Sequence, residues 1–304
     1  MSSIASPGHD SPPRQPRADP VVLHSRDVLA IVVSFNGLAR TRSTVAALRG
    51  QVGQVHIVDN GSRAESLATL DALEQEGGVT VERLSTNRGV GYALNRGVQF
   101  ARERGFSWVL TMDQDSTVDG DMMEGYRRAI ARDPARVMLA PAIVGAPRIE
   151  ADDAEIEYAI TSGNLVRVSL FDEVGPYDES LFIDGVDFDF SLRVRKAGHR
   201  LHRVQGAVMH HELGDATSLS PFMRRLYAQH SALRRYYMSR NFLYLFTRYF
   251  REFPRFMIQL AIAHVVHLLL IAFLDPNPLP SYRAVGRGIK DFFAHKLGPY
   301  AEPV

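Results

Sequence analysis

The chain of 304 residues has no cysteine, which excludes disulfides, thiolate metal sites and a cysteine nucleophile. Excess charge is also missing. Lys and Arg number 35 against 34 Asp and Glu, a formal net charge of +1, so the chain as a whole is not built to wrap nucleic acid or to steer an anionic polymer. Met1 to about Arg26 is rich in Ser, Pro, Arg and Asp and has no apolar stretch long enough for a signal-peptide core; residues 1–27 therefore read as a disordered leader, and secretion is not expected. Long apolar runs are scarce too. The one candidate is Phe256 to Leu274, close to the ~20 residues a spanning helix needs. The insertion cost of Gln259, His264 and His267 favours a buried, oligomerising or membrane-surface helix over a span. Internal repeats are absent.

What is present is ordinary globular composition, 45% apolar and 23% charged, enough for one large α/β domain with an appendage. Val28–Ser34, Val55–Val58, Val79–Leu84 and Trp108–Met112 read as short apolar strands. They alternate with helices over Leu38–Leu48, Ala64–Gln75 and Gly91–Arg104. Apolar strands alternating with amphipathic helices predict a doubly wound, mostly parallel sheet covered on both faces. The second half is less regular: strand and turn over Tyr158–Val168, a helix over Asp184–Ala197 with acids first and bases last, and a strand over Leu201–His210. After Pro221 the chain becomes basic and aromatic and reads as helical to about Phe292. The organisation expected is a leader (1–27), a catalytic domain (28–220) and a helical C-terminal region (221–304).

In an open parallel sheet, ligands gather at the carboxyl ends of the strands. Each of the four strands ends in polar residues: Phe35-Asn36, Asp59-Asn60-Gly61-Ser62, Asn87-Arg88-Gly89 and Asp113-Gln114-Asp115. Asp113 and Asp115, one residue apart in a turn, can both face a divalent cation; hard oxygen ligands suit Mg²⁺ or Mn²⁺. A solvated acidic turn or a cap involving Ser116 is the bland alternative. Asp59 can accept hydrogen bonds from a base or ribose, or serve only as an Asx-turn. The Gly-rich turn from Asn87 to Gly91 opens a helix whose free N–H groups suit a phosphate, but it lacks the spacing of a dinucleotide fingerprint or a P-loop.

Together the segments VVSFN, VDNGS, NRGVGYALNRG, TMDQDS, TSGNLV, FIDGVDFDFSLR and HHELGD resemble the family 2 glycosyltransferases of the GT-A fold, from about Leu29 to Asp215. Within that family the likeness is closest to bacterial rhamnosyltransferases that use dTDP-rhamnose. The resemblance implies that Asn36 and Asp59 line the nucleoside pocket, and that Asn87, Gly91 and Asn95 shape the nucleotide and sugar site. It also implies that Asp113 and Asp115 hold a metal bridging the diphosphate, with His211, or else His210, completing the shell. Ser162, Gly163 and Asn164 are placed by the acceptor or donor sugar, and Asp187 as general base, with Asp184 and Asp189 as competitors. Displacement at an anomeric carbon needs such a carboxylate to take the acceptor's proton. Arg240-Asn241 could meet a diphosphate or lipid headgroup, or simply pack.

The expected activity is inverting transfer of a sugar, rhamnose by likeness, onto a lipid-linked or polysaccharide acceptor in cell-envelope glycan synthesis. The expected setting is cytoplasmic, at the inner face of the membrane, with homo-oligomerisation through the C-terminal helices as a further expectation and no nucleic-acid partner. UDP-galactofuranose or another UDP-sugar is the alternative donor. A nucleotidyltransferase would show a Gly-rich loop with a basic residue just after the first strand, which VVSFNGLARTR lacks. A non-catalytic nucleotide-sugar-binding protein would be expected to lose the acids, and all are present.

Overall fold

Val28–Ser34 forms β1, a strand whose residues alternate between two cores: Val28, Ala30 and Val32 face one, Leu29 and Ile31 the other. A strand apolar on both faces can only be central and covered on both sides. A computed structural model describes residues 22–144, 153–211, 230–275 and 277–301. From β1 the chain runs through α1 (Leu38–Leu48), β2 (Gln54–Asp59), α2 (Ala64–Gln75), β3 (Val79–Arg83), α3 (Val90–Glu103) and β4 (Trp108–Asp113). These strands are parallel and stand in the order β3-β2-β1-β4. The chain thus moves outward from β1 to β3 and then returns past it to β4. That reversal makes the gap between the carboxyl ends of β1 and β4 a topological switch point, where doubly wound sheets leave a ligand crevice.

Beyond β4 the sheet becomes mixed, where the sequence pattern suggests mostly parallel strands. The remaining elements are β5 (Ser116–Val118), α4 (Met122–Arg132), β6 (Met138–Ile143), β7 (Ala154–Ile156), β8 (Asn164–Arg167), α5 (Leu170–Val174), α6 (Val186–Lys196) and β9 (Leu201–His211). β8 runs antiparallel to β4 and β6; β9 runs parallel to β6 and antiparallel to β5 and β7. Short strands such as STV and AEI carry too few residues for a periodic signal, and this is why the pattern leaves them unseen. Of the expected Tyr158–Val168 strand, only Asn164–Arg167 pairs. The expected leader lies outside the described residues up to position 21; Leu23 is already buried, and Ser25–Asp27 form a 3₁₀ turn.

Three helices follow: α7 (Ala232–Tyr249), α8 (Pro254–Leu274) and α9 (Pro278–Phe293). Ser231 caps α7 by accepting from the Arg234 N–H, and Pro254 and Pro278 stand where a helix start tolerates a missing N–H. α7 lies against α9 and against α6; Leu192 of α6 shares a small core with Leu245, Tyr249, Phe256 and Met257.

α4 crosses β9 at backbone contact. A Cβ built on Gly125 would fall 2.1 Å from the Gly206 carbonyl oxygen, so only glycine permits the approach. Gly125→Ala should therefore destabilise the fold by about 1–3 kcal/mol through overpacking. Urea denaturation tests this; an unchanged midpoint would mean that α4 can move off β9 without cost.

Candidate active site

The acidic bend joins β4 to β5 and is braced from three directions. Gln114 reaches across the switch point: its Oε1 accepts from the Phe35 N–H at 2.7 Å and its Nε2 donates to the Phe35 carbonyl at 3.0 Å, tying the end of β1 to the end of β4. Thr44 of α1 lies 2.9 Å from the Gln114 carbonyl and 2.8 Å from that of Ser116. Ser162, fully buried, accepts from the Asp113 N–H at 3.1 Å and bonds the Ser116 hydroxyl at 2.9 Å. Asp113 and Asp115 are half-buried on this braced turn. In this structure Ser162 supports the bend. Asn164 is also buried and donates to the Ile160 carbonyl at 2.5 Å, while the Gly163 carbonyl accepts from Tyr126 at 2.6 Å. The three residues singled out for a sugar contact thus lie beneath the bend, engaged with the protein itself.

On the β1–β2 side, Asn36, Asp59 and Ser62 form one network. The buried Asp59 carboxylate accepts from the Ser62 N–H at 3.1 Å and from the Ser62 hydroxyl, which in turn accepts from the Asn36 N–H at 2.8 Å. Asn36 Oδ1 accepts from the Arg63 N–H at 2.9 Å, and its backbone is left-handed at φ 55°. Asp59 thus fastens the turn after β2 through Ser62, three residues on, and stands at the carboxyl end of a central strand. The neighbouring Asn60 joins the β2 and β3 exits: it accepts from the Arg88 N–H at 2.8 Å and donates to the Gly89 carbonyl at 3.2 Å.

The Gly-rich motif serves a contact that its sequence did not announce. Gly89 sits at φ 88°, and a Cβ there would lie 2.5 Å from the Phe182 carbonyl oxygen, which also accepts from the Val90 N–H at 2.7 Å. Asn87 accepts from the Gly89 N–H at 2.9 Å, stiffening the turn. Gly91 and Asn95, one turn apart on α3, both face the segment 177–179: a Cβ on Gly91 would sit 3.0 Å from the Asp178 carbonyl, and the Asn95 amide exchanges bonds with Tyr177 at 2.8 and 3.0 Å. These residues dock the loop that carries the later acids.

Three acids open α6, and their partners separate them. Asp189 is fully buried and saturated, accepting from Arg193 at 2.8 Å and from the Tyr249 hydroxyl at 2.6 Å. Asp184 is paired with Arg234 of α7 at 3.0 Å; burial pushes its carboxyl up and the guanidinium opposes the shift. Asp187 accepts from the Phe188 N–H at 2.9 Å, and among the described residues no cation pairs with it. Burial pushes the Asp187 carboxyl up to about 6, against the Phe188 N–H, with the carboxylates of Asp184 and Asp113 adding in the same direction. Asp113 is thus close enough to Asp187 for their charges to be felt, and the structure brings the bend and the start of α6 to one side of the sheet.

The β5–β9 register sets His211 opposite Ser116 and His210 opposite Thr117. His210 Nε2 lies 2.7 Å from Asp119 Oδ1, which accounts for that ring. His211 is the histidine whose backbone adjoins the bend. The segment ELGD that follows lies outside the described residues. Among the described residues no cluster of three or more His, Asp or Glu is preassembled around an ion. Two carboxylates on a turn nevertheless fit Mg²⁺ or Mn²⁺, which keep several waters and take phosphate oxygens from the substrate. Arg240-Asn241, weighed in the sequence as a headgroup contact or as packing, is buried, and its side chains hold the carbonyls of the segment 180–184.

An Asp-x-Asp bend at a β1/β4 switch point, with an acidic helix start on the same side of the sheet, is an arrangement able to hold the cation of a diphosphate. Residues 29–164 match the family described as Glycosyl transferase family 2, and the chain carries a domain of that family. It is related to rhamnosyltransferases: it is 24% identical over 276 residues to the dTDP-rhamnosyl transferase RfbF of Shigella flexneri, covering 83% of this chain and 90% of that one. The fold is shared with GalNAc-T7 solved with UDP, GalNAc and Mn²⁺ (TM-score 0.61, 15% identity, 91% of this chain and 59% of that one). It is shared also with S. aureus TarS 1-349 in complex with UDP-GlcNAc (TM-score 0.52, 14% identity, 88% and 72%). The GT-A fold expected from the motifs is the fold observed.

Asp187 gives a stability prediction with a definite sign. Its pKa rises on folding from 3.8 to about 6, so its contribution is fully present below 3.8 and is lost as pH rises through 6. Asp187→Asn, permanently neutral, should melt above the native protein by a margin that grows from pH 4 through 6 and levels above 7. Melting curves without divalent ions read this directly; a margin independent of pH would show that Asp187 titrates normally.

Proposed function

We propose that the protein is an inverting glycosyltransferase that moves rhamnose from dTDP-rhamnose onto a hydroxyl of a lipid-linked or polysaccharide acceptor, working at the cytoplasmic face of the membrane in cell-envelope glycan synthesis. The observation that carries this reading is the buried, cation-free carboxyl of Asp187, near enough to Asp113 of the acidic bend to feel its charge. The likeness to RfbF supports the choice of donor.

In this reading Asn36 and Asp59 receive the nucleoside at the ends of β1 and β2. Asp113 and Asp115 would hold the diphosphate's divalent ion, with His211, whose backbone pairs with Ser116, as a further ligand. When bound, that ion offsets the charge on the departing diphosphate. Asp187 does the proton work. Its carboxylate takes the proton of the acceptor hydroxyl as the oxygen forms its bond to the anomeric carbon; the bond from that carbon to the diphosphate oxygen breaks, and the diphosphate leaves with the electron pair. One displacement inverts the anomeric centre. A carboxyl held near 6 is a stronger base than an exposed aspartate and remains mostly ionised at neutral pH. Asp184 keeps the charge of Arg234 occupied beside it, so that the cation does not pair with the base.

Transfer assays and thermal shift with dTDP-rhamnose, UDP-sugars and GDP-sugars, each with Mg²⁺ or Mn²⁺, test the donor. dTDP-rhamnose is expected to stabilise and to be consumed; preference for a UDP-sugar would overturn the donor assignment while leaving the transferase intact. Asp187→Asn should lower kcat by about 10²–10⁴-fold with donor binding retained. Asp115→Ala should lose metal-dependent donor binding. In the native enzyme kcat/KM should fall as pH drops below about 6, where Asp187 takes up its proton. Near-native turnover by Asp187→Asn would reject it as the base.

A further inference from the structure

α8 carries its side chains in an order that water does not explain. Ile258, Ile262, Val265, Val266, Leu269 and Phe273 recur at helical spacing on one stripe, and all are exposed, Ile262 and Leu269 at 59% and Phe273 at 81%. The polar rings turn the other way. His264 stacks on Phe242 of α7 with ring centroids 4.6 Å apart, and His267 lies 5.8 Å from His230. From Phe256 to Leu274 there is no Asp, Glu, Lys or Arg. An apolar face turned outward with both histidines turned inward, Gln259 alone of the polar residues being exposed near the start of the helix, matches a surrounding of hydrocarbon edged by headgroups.

The charge around the helix identifies what lies there. Between residues 230 and 301 there are ten Lys and Arg against three Asp and Glu, although the whole chain is nearly neutral. Arg251 and Arg255, both exposed, flank the start of α8. A basic apolar surface complements an anionic leaflet, because each cation near such a surface adds to the attraction. A perpendicular span fits poorly. The inner side of α8 is joined to α7 through Phe242 and to α9 through the Tyr282 hydroxyl, which donates to the Leu268 carbonyl at 2.8 Å. Insertion would drag Arg235 on α7 and Arg283 and Arg287 on α9 into the bilayer.

We propose that the outward stripe of α8 seats the protein flat on an anionic lipid surface and so holds the acidic start of α6 beside that surface. The link to the site is an aromatic wall: Phe256, in the first turn of α8, packs 5.8 Å from Tyr158 and 6.0 Å from Phe188, the residue following Asp187. Tyr158 lies near enough to Asp187 to feel its charge. An acceptor hydroxyl approaching Asp187 past Tyr158 therefore comes from the level of the lipid headgroups. This orientation rests on the transferase reading, whereas the seating does not.

The full chain, sedimented with vesicles of phosphatidylglycerol and phosphatidylcholine, should bind at least tenfold better than with phosphatidylcholine alone. Val265→Glu with Leu269→Glu should abolish that binding, and Arg251→Glu with Arg255→Glu should weaken it, all without lowering the melting temperature or the thermal shift given by nucleotide-sugar and Mn²⁺. Because the chain has no cysteine, Ile262→Cys and Tyr158→Cys can each carry a single environment-sensitive dye, with Glu65→Cys on α2 as the remote control. Brominated acyl chains should quench the dye at 262 strongly, at 158 weakly, and at 65 not at all. Native-like vesicle binding by the double glutamate variant, or a dimer in solution that the same variant dissolves, would overturn the seating. Equal quenching at 158 and 65 would overturn the orientation. Failure of the transferase reading would appear separately, as absence of the nucleotide-sugar shift.

Discussion

The buried pair Arg240–Asn241 on α7 holds the backbone that presents the acids at the start of α6. Asn241 Nδ2 lies 2.7–2.9 Å from the carbonyls of Leu181, Ile183 and Asp184, while Arg240 reaches those of Ser180, Leu181 and Gly298. The segment needs such a clamp. Phe182 and Asp184 are non-glycine residues in the left-handed region, at φ 65° and 58°, and Gly185 follows at 91°. Left-handed backbone at non-glycine residues costs on the order of 1–3 kcal/mol each and persists only where the surroundings impose it. Here they are imposed from both sides, by α7 through side chains and by α3 through Gly89 and Gly91, where the absence of a Cβ lets the loop dock. The guanidinium itself is stacked against Tyr236 and Tyr237, a low-polarity seat that favours a cation with fully occupied donors.

The opposite half of the site is fixed by different means. The bend at Asp113–Asp115 has no left-handed residue; it is held by hydrogen bonds with Phe35, Thr44 and Ser162, each in a separate part of the chain. Gln114 also stitches β1 to β4, so the crevice width at the switch point and the direction of the two carboxylates are set together. A cation held by these two carboxylates would gain from this rigidity, because its remaining ligands would come from water and substrate and could not orient the protein.

Much of the parallel half was legible in the sequence, since continuous apolar strands and amphipathic helices leave a strong periodic mark: α1 and α2 fall on Leu38–Leu48 and Ala64–Gln75 as the pattern implies. The mixed half was not. Its strands β5 and β7 have three residues each, and the pairing that gives them meaning joins Ser116 to His211 and Ala154 to Arg203, contacts of long sequence separation. Among the acids of α6, spacing alone could not rank Asp184, Asp187 and Asp189, because what separates them is Arg234, Arg193 and Tyr249 arriving from elsewhere. Ser162 and Asn95 were legible as polar residues of the motifs, but the bonds through which they support Asp113 and Tyr177 belong to the packed structure.

The C-terminal helices, which the composition suggested were an appendage, are part of the architecture of the site. Asp189 of α6 receives the Tyr249 hydroxyl, Asp184 receives Arg234, and Asp178 receives the Tyr244 hydroxyl at 2.9 Å, so one helix touches the acidic segment at three points besides the clamp. The chain beyond α9 closes the same region: the Gly298 N–H donates to the Ser180 carbonyl at 2.6 Å and the Tyr300 N–H to Tyr237 at 2.7 Å. A path of packed side chains therefore runs from α8, through Phe256 and α7, to the segment that carries Asp187. A force that orients α8 is passed to Asp187 through these contacts, so the seating of one and the direction of the other can be matched by packing alone.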